Sequence, residues 1–252
     1  MGLGKIGILD IRQGCSGFVY ALSVANQYIK AETYKNILVI APHPDDETLG
    51  VGGSMARFID EGANVNVLVV SGHLPPLYNE ELYLKTKQES KDVFNLLGIK
   101  DSHFLDIPAT MVNELPIAEL NNKILEYLKK IKPEIVFVPF PDRHIDHRII
   151  FEASLVACRP VSPIAPKIVL SYETLSETFW NAPNIEPNFV PELFIDISNY
   201  IEMKRKAIEI YESQLKNIPS RSVEACLALA KFRGSQNGFE YAESFKIIRY
   251  LV

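Results

Sequence analysis

Short apolar runs alternate with longer segments of helical periodicity along most of this chain, and this alternation limits the folds that it can adopt. Runs with the length and composition of buried strands occupy 36–41, 64–70, 134–139, 168–172 and 193–197, with a shorter one at 103–105. Segments with apolar residues at helical spacing occupy 50–61, 79–97, 116–131 and 145–158. Upstream of these, the same patterns predict a strand at 6–10 and a helix at 17–30.

Strand–helix alternation of this kind is typical of a parallel sheet that helices cover on both faces. We therefore predict an α/β fold with a Rossmann-like, mostly parallel sheet and a helical C-terminal tail over 198–252. A chain of 252 residues is long enough for one such domain, and we expect 1–252 to form it. The proline-rich stretch 160–191 is predicted to be a loop region that supplies a lid or a substrate wall.

Two polar clusters directly follow two of the predicted buried strands. The first cluster, 43–47, comes after the strand at 36–41, and the second, 142–148, comes after the strand at 134–139. The carboxyl ends of parallel strands meet at one edge of a sheet, where open α/β sheets bind their ligands. We therefore expect the histidines and carboxylates of both clusters to lie together, although they are far apart in the sequence.

The two clusters contain the ligand types of a catalytic metal site. His43 and Asp46 are three residues apart in a predicted tight turn, so both can face one ion, and His147 can supply a third ligand. Two imidazoles, one carboxylate and an open position are typical of catalytic zinc, which lowers the pKa of its bound water to about 7. Asp45 should diverge from Asp46, and we predict that it is the general base.

His144 and Asp146 are predicted to assist the reaction from the second cluster. His144 lies one helical turn before His147, so both imidazoles can face the same pocket. We expect His144 to stabilise an oxyanion and then to protonate a leaving amine, and Asp146 to orient an imidazole. A helix N-terminus disfavours an imidazolium, so His144 needs a nearby carboxylate, either Asp142 or Asp146, to act as an acid.

These residues resemble the signature of the PIG-L/LmbE-like zinc N-deacetylases, and the resemblance spans about 36–252. It is carried by His43-Pro44-Asp45-Asp46-Glu47, by His144-x-Asp146-His147, and by the later segments 132–139, 194–198, 211–215, 233–235 and 241–245. Transferred position by position, the resemblance implies metal ligands at His43, Asp46 and His147, a base at Asp45, an electrostatic or acid histidine at His144, and its carboxylate partner at Asp146.

The resemblance also implies a function and a set of partners. It implies a Zn²⁺-dependent hydrolase that removes the acetyl group from an N-acetylglucosamine-type glycoconjugate, and a homo-oligomer of three or six chains. The family often has a substrate-binding arginine before 88–97, where Lys85 and Lys87 are the nearest candidates here; a lysine keeps the charge but loses the bidentate fork. Arg233 is a second candidate substrate contact, and a structural role in the tail is equally compatible with the pattern.

Residues 8–40 carry a second resemblance, to the nucleophile segment of the β-ketoacyl synthase III group. It rests on the run from Asp10 to Leu22, in which Cys15 precedes the predicted helix at 17–30. A helix N-terminus lowers the pKa of a thiol, so an alternative function is a Cys15-based acyl transferase or acyl-binding module. We expect 1–35 to be an atypical N-terminal segment joined to the deacetylase-like part.

Charge and composition argue against several other classes of protein. The formal net charge is -5 and no long basic run occurs, so nucleic acid is not an expected partner. No apolar run approaches transmembrane length and the start lacks the order of a signal peptide, so we expect no stable membrane insertion and a cytoplasmic location. A further alternative is a catalytically inactive, metal-free family member that acts as a binding protein.

Overall fold

The apolar run that precedes the first polar cluster forms strand β1 (Asn36–Ala41), which lies inside a seven-stranded sheet. The structure is a computed structural model and describes residues 35–182, 184–215 and 219–251. The other strands are β2 (Asn64–Gly72), β3 (Asp101–Pro108), β4 (Ile135–Pro139), β5 (Ile168–Tyr172), β6 (Leu193–Asp196) and β7 (Ala242–Tyr250). The α-helices are α1 (Asp46–Asp60), α2 (Glu80–Leu97), α3 (Ile117–Ile131), α4 (Ile145–Ala157), α5 (Leu175–Thr178), α6 (Ile201–Ile210) and α7 (Val223–Ser235). Short 3₁₀ helices occupy Val112–Glu114, Ser198–Tyr200 and Pro219–Arg221.

The order of the strands places the two polar clusters side by side. The sheet runs β3-β2-β1-β4-β5-β7-β6, and β1 pairs in parallel with both β2 and β4. The chain therefore moves outward in one direction through β2 and β3 and in the other through β4 and β5. This reversal makes the carboxyl ends of β1 and β4 a topological switch point, the usual ligand crevice of open α/β sheets.

The side chains of β1 alternate between two apolar cores, which explains why its sequence is apolar throughout. Ile37 and Val39 face a core that α1, α2 and α6 complete, whereas Leu38 and Ile40 face a core that α3 and α4 complete. The predicted α/β fold with helices on both faces of a mostly parallel sheet is confirmed. Both polar clusters are thus held by strands that are packed on both sides.

Two elements differ in extent from the sequence predictions. β3 runs over Asp101–Pro108 and is longer than the predicted 103–105, because this edge strand is only half buried and carries polar residues. The C-terminal tail is helical through α6 and α7, as predicted, but it ends in an unpredicted strand, β7, which pairs antiparallel with β5 and β6. Glu243 and Ser244 are buried in β7, so this strand has no continuous apolar run.

Glycines at the start of α1 let this helix pack closely on its neighbours. A Cβ at Gly53 would lie 2.6 Å from Cδ1 of Ile197, and a Cβ at Gly50 would overlap the ring of Tyr172. The glycine-rich start of the helix therefore serves close packing. Among the described helices, none combines the length and the apolar character needed to cross a membrane.

Several predictions concern residues outside those that the structure describes. They are the strand at 6–10, the helix at 17–30 and the reactive thiol at Cys15. The assignment of 1–252 to a single domain, with 1–35 as an atypical segment of it, also stays a prediction.

Candidate metal centre

The first polar cluster forms a tight turn between β1 and α1. The Asp46 N–H donates to the His43 carbonyl at 3.3 Å, and the His43 N–H donates to Asp46 Oδ2 at 2.9 Å. Asp45 lies between them at the N-cap of α1 with φ 123° and ψ -29°, a region that residues other than glycine rarely adopt. Its carboxylate makes no capping hydrogen bond. A strained aspartate whose side chain does not cap the helix is typical of a functional position.

Side chains from both clusters converge at the ends of β1 and β4. Asp46 Oδ2 lies 3.1 Å from His43 Nδ1 and 3.3 Å from His147 Nε2. His144 is close by, because one ring nitrogen from each of His43, His144 and His147 lies within 4.8 Å of the others. The structure thus brings together the three predicted metal ligands and the predicted assisting histidine.

The donor atoms of this cluster fit a zinc ion. His147 Nε2 is buried and has no hydrogen-bond partner, although it faces the carboxylate of Asp46. A buried polar atom without a partner is costly and rare, which is the situation that a bound cation would relieve. Two imidazole nitrogens and a carboxylate oxygen are also a donor set that zinc accepts in catalytic sites. His43, Asp46 and His147 are therefore the residues that would hold the ion.

Buried carboxylates orient both imidazoles of this set. Asp146 Oδ2 lies 2.9 Å from His43 Nε2, and Asp142 Oδ2 lies 3.0 Å from His147 Nδ1. Thr178 supports the second pair by donating its hydroxyl to Asp142 Oδ2 at 3.1 Å. A carboxylate on the far nitrogen of a metal-binding histidine fixes its tautomer and raises its basicity. Here both histidines that are predicted to bind the metal have such a partner.

His144 is held differently from the other two histidines. Its Nδ1 accepts the backbone N–H of Asp146 at 3.2 Å, which caps α4, and lies 4.0 Å from the Asp146 carboxylate. A neutral imidazole that accepts at Nδ1 carries its proton on Nε2. The carboxylate of Asp146, expected from the resemblance beside His144, contacts His43 in the structure.

The surroundings shift the pKa values of the two predicted proton-handling groups in opposite directions. Burial raises the pKa of Asp45 to about 8, and the Asp46 carboxylate adds to this effect, while Arg221 opposes it. Burial and the neighbouring His43 and His147 lower the pKa of His144 to about 4. Asp45 can therefore exchange a proton near neutral pH, whereas His144 is a neutral hydrogen-bond donor there.

The pKa values of the ligand set show how strongly the site favours positive charge. Burial alone would lower the pKa of His43, but hydrogen bonds to Asp146 and Asp46 outweigh it and raise the value to about 9. The pKa of His147 is likewise raised despite burial, because the carboxylates of Asp46 and Asp142 face it. Protons and a divalent cation compete for the same nitrogens, so metal affinity must fall as the pH falls.

Known proteins share both the sequence pattern and the fold. The profile of the family described as PIG-L, GlcNAc-PI de-N-acetylase, matches residues 38–158. Diacetylchitobiose deacetylase of Thermococcus kodakarensis is 31% identical over 235 residues, covering 85% of this chain and 83% of that protein. The chain belongs to the PIG-L family.

Two further deacetylases are similar to this chain. The probable N-acetyl-alpha-D-glucosaminyl L-malate deacetylase 2 of Bacillus anthracis is 25% identical and covers 71% of this chain and 81% of that protein. The structure of N,N'-diacetylchitobiose deacetylase from Pyrococcus horikoshii, at 23% identity, superposes with a TM-score of 0.69 over 96% of this chain and 95% of that chain. The chain therefore shares the fold of that deacetylase, and the deacetylase relatives together indicate an enzyme.

The second resemblance is confirmed over a short segment. The profile of 3-oxoacyl-[acyl-carrier-protein] synthase III matches residues 9–44, which overlap the PIG-L match at β1. Most of this segment lies outside the described residues. A function for Cys15 therefore stays a prediction.

A buried support for the predicted base Asp45 was not predicted from the sequence. Glu47 is fully buried, and its Oε2 accepts the backbone N–H of Asp45 at 3.2 Å. Its Oε1 accepts the hydroxyls of Tyr211 at 2.6 Å and Thr48 at 2.8 Å. Tyr211 begins one of the later segments that resemble the PIG-L family. Glu47 thus fixes the strained backbone of Asp45. A sequence pattern does not show which carboxylate a distant tyrosine contacts, so this support could not be predicted.

The proposed substrate contacts Lys87 and Arg233 are held in ion pairs with carboxylates that do not belong to the metal centre. Lys87 Nζ lies 2.6 Å from Oδ1 of Asp106. Arg233 donates Nε and Nη2 to the two oxygens of Glu173 at 2.8 and 2.7 Å, and both residues are buried. For Arg233 this geometry favours the structural alternative.

Replacing Arg233 by methionine is expected to lower the free energy of unfolding by about 3–5 kcal/mol, because it leaves the carboxylate of Glu173 buried without its charge partner. Lys231→Met is the control, because the Lys231–Glu240 pair is exposed and should contribute less than about 1 kcal/mol. Urea denaturation measures both. An Arg233→Met variant of unchanged stability and raised KM would instead identify Arg233 as a substrate contact.

Arg221 is a cation that influences the pKa of the predicted base Asp45, and this role was not predicted from the sequence. Arg221 donates to Glu177 and Gln214, each at 3.4 Å, and opposes the rise in the pKa of Asp45. Replacing Arg221 by methionine should raise the pKa of Asp45 and move the acid limb of the kcat/KM profile to higher pH by roughly one unit. Arg205→Met, on an exposed face of α6, should leave the profile unchanged. A loss of activity that is equal at every pH would contradict this electrostatic role.

Proposed function

We propose that this chain is a zinc-dependent hydrolase that removes the acetyl group from an N-acetylated amino sugar of the N-acetylglucosamine type and releases acetate. The observation that supports it most is the convergence of His43 Nδ1, His147 Nε2 and Asp46 Oδ2 next in sequence to the buried, strained Asp45. The sugar class comes from relatives whose names give diacetylchitobiose and N-acetyl-glucosaminyl malate as substrates.

Asp45 carries the proton through the reaction. His43, Asp46 and His147 would hold a zinc ion, which would supply a Lewis acid for the amide carbonyl and would lower the pKa of water. Asp45 takes a proton from the water as the water oxygen bonds to the acetyl carbon. The electron pair of the C=O bond moves onto the carbonyl oxygen. Asp45, and not His144 as predicted from the sequence, then returns the proton to the amide nitrogen as the C–N bond breaks, because the lowered pKa of His144 leaves that ring without a second proton to give. The products are acetate and a free amine.

His144 stabilises the negative charge that develops on the carbonyl oxygen. Its Nδ1 is occupied by the N–H of Asp146, so the neutral ring presents Nε2–H as a donor. Its lowered pKa keeps the ring neutral at the pH at which Asp45 works as a base. A preorganised donor of this kind stabilises an oxyanion without itself gaining or losing a proton. Removal of one such donor typically reduces kcat by about 10²–10³-fold.

Acetate release from defined sugars tests the proposal. The purified chain, loaded with one equivalent of zinc, is incubated with N-acetylglucosamine and with N,N'-diacetylchitobiose, and the acetate is quantified by an enzyme-coupled assay. We expect release that stops when the zinc is chelated and resumes when it is restored. Absence of acetate from every N-acetylated sugar, at full zinc occupancy, would contradict the proposed function.

The 3-oxoacyl synthase match favours one second candidate, an acyl transfer at Cys15. Intact-mass spectrometry after incubation with an acyl thioester tests it, because a labile adduct on Cys15 adds the mass of the acyl group. A chain that binds no zinc and forms no adduct would support the remaining alternative, a metal-free binding protein.

Two expectations about assembly and location accompany the proposed function. The resemblance to the PIG-L family implies a homo-oligomer of three or six chains, and composition predicts a cytoplasmic location. Sedimentation velocity on the full chain distinguishes a monomer from a trimer or hexamer.

A further inference from the structure

Two exposed aromatic side chains lie in the segment that follows β5. Trp180 is the only tryptophan of the chain, and 49% of its surface is exposed. Phe179, its neighbour, is also 49% exposed. Large aromatic side chains that are this exposed are typical of binding surfaces, because aromatic residues commonly line small-molecule sites.

The aromatic pair is attached to the metal centre through α5. Thr178, the residue before Phe179, donates its hydroxyl to Asp142, the carboxylate that orients His147. The backbone N–H of Trp180 donates to the backbone carbonyl of Glu177 at 3.0 Å, which continues the turn of α5. The residue that precedes the aromatic pair therefore belongs to the hydrogen-bond network around a predicted metal ligand.

A second contact connects the pair with the neighbourhood of His144. Arg143, which directly precedes His144, donates Nη1 to the carbonyl of Trp180 at 3.5 Å. The sheet explains this closeness, because β5 pairs with β4 and neighbouring strands are about 4.8 Å apart. A loop that leaves the carboxyl end of β5 therefore begins one strand away from the second polar cluster.

We propose that Trp180, with Phe179 beside it, forms a platform on which the pyranose ring of the substrate packs while its acetamide reaches the metal centre. This inference rests on the proposed function and deepens it, because it assigns the contact that distinguishes a sugar from another acetamide. One face of a pyranose ring presents C–H groups of slightly positive charge, which complement the negative face of an indole. The hydroxyl groups at the rim of the sugar stay in contact with water or with polar side chains.

The single tryptophan makes the platform directly observable. Tryptophan emission therefore reports on this position alone. The zinc-loaded Asp45→Asn variant, which should hydrolyse the sugar very slowly, is titrated with N,N'-diacetylchitobiose. We expect a saturable change in the intensity or wavelength of emission. N-acetylglycine, which carries an acetamide but no sugar ring, should cause no change at equal concentration. An unchanged emission with the sugar, or an equal response to N-acetylglycine, would overturn the platform.

Steady-state kinetics test the same contact by substitution. Trp180→Ala should raise KM for N,N'-diacetylchitobiose roughly tenfold and change kcat little, because the lost contact is made equally before and during the reaction. Trp180→Phe, which keeps an aromatic face, should restore most of the affinity. Leu96→Ala is the control, because Leu96 is 37% exposed near the end of α2, the helix that precedes the edge strand β3, whereas Trp180 follows β5.

The outcomes separate this inference from the proposed function. If the wild-type chain releases acetate and Trp180→Ala has an unchanged KM, the platform is wrong and the hydrolase assignment stands. If zinc-loaded wild-type chain releases no acetate from any N-acetylated sugar, the proposed function itself is wrong. A raised KM that Trp180→Phe fails to restore would also contradict a platform that depends on an aromatic face.

Discussion

Replacing Asp45 by asparagine is expected to reduce kcat for acetate release by about 10²–10⁴-fold, the range that a positioned general base contributes. The amide keeps the shape of the side chain but cannot accept a proton from water. Burial has already raised the pKa of Asp45 to about 8, so the wild-type carboxyl is poised to exchange protons near neutral pH. KM should change less than kcat, because the proton is transferred only during the reaction.

Two controls make this result specific. Zinc content of Asp45→Asn, measured on the same preparation, should equal that of the wild type, because Asp45 is not one of the proposed ligands. Asp92→Asn, an exposed aspartate on α2, should leave kcat unchanged. Activity of Asp45→Asn close to that of the wild type would show that another group takes the proton.

Replacing His147 by alanine is expected to abolish stoichiometric zinc binding and with it the hydrolase activity. His147 is fully buried and places Nε2 3.3 Å from Asp46 Oδ2, so its loss leaves the proposed ligand set with one imidazole and one carboxylate. Asp142→Asn, which removes the carboxylate beside His147 Nδ1, should weaken zinc binding by about 10–100-fold. His103→Ala is the control, because this ring stacks on Tyr127 in another part of the sheet.

Zinc binding should also release protons. The pKa of His43 is raised to about 9 and that of His147 is raised as well, so protons compete with a metal ion for both imidazoles. A protonated imidazole must lose its proton to bind a cation, which predicts the release of up to two protons per zinc. Calorimetry in two buffers of different ionisation enthalpy measures this number. Binding without proton release would place the metal elsewhere.

The part of the site that depends on residues close together in the sequence was predictable from the sequence. His43 and Asp46 belong to one turn, and His144 and His147 to the first turn of one helix, so short-range spacing already orients them. The strand-end rule then joins the two clusters, because β1 and β4 are neighbours at the switch point of the sheet. The alternation of strands and helices is therefore enough to predict that the two clusters lie together.

What the sequence did not predict depends on contacts between distant segments. Glu47 accepts a hydrogen bond from Tyr211, which is far away in the sequence. The contact between Asp142 and His147 Nδ1 was likewise not predicted from spacing. The buried polar residues of β7 find their partners only in the folded chain, as Glu243 does with the backbone of Gly53. A buried polar residue looks like a surface residue in a sequence, and its burial becomes evident only when the partner is known.

The dependence of acetate release on bound zinc tests whether this chain is a zinc hydrolase. The chain is stripped of metal, and zinc is restored in fractions of an equivalent while acetate release from N,N'-diacetylchitobiose and bound zinc are measured on the same sample. We expect activity that is absent without metal and rises in proportion to bound zinc up to one equivalent per chain. Undiminished activity after complete removal of the metal, or no activity at one bound equivalent, would contradict it.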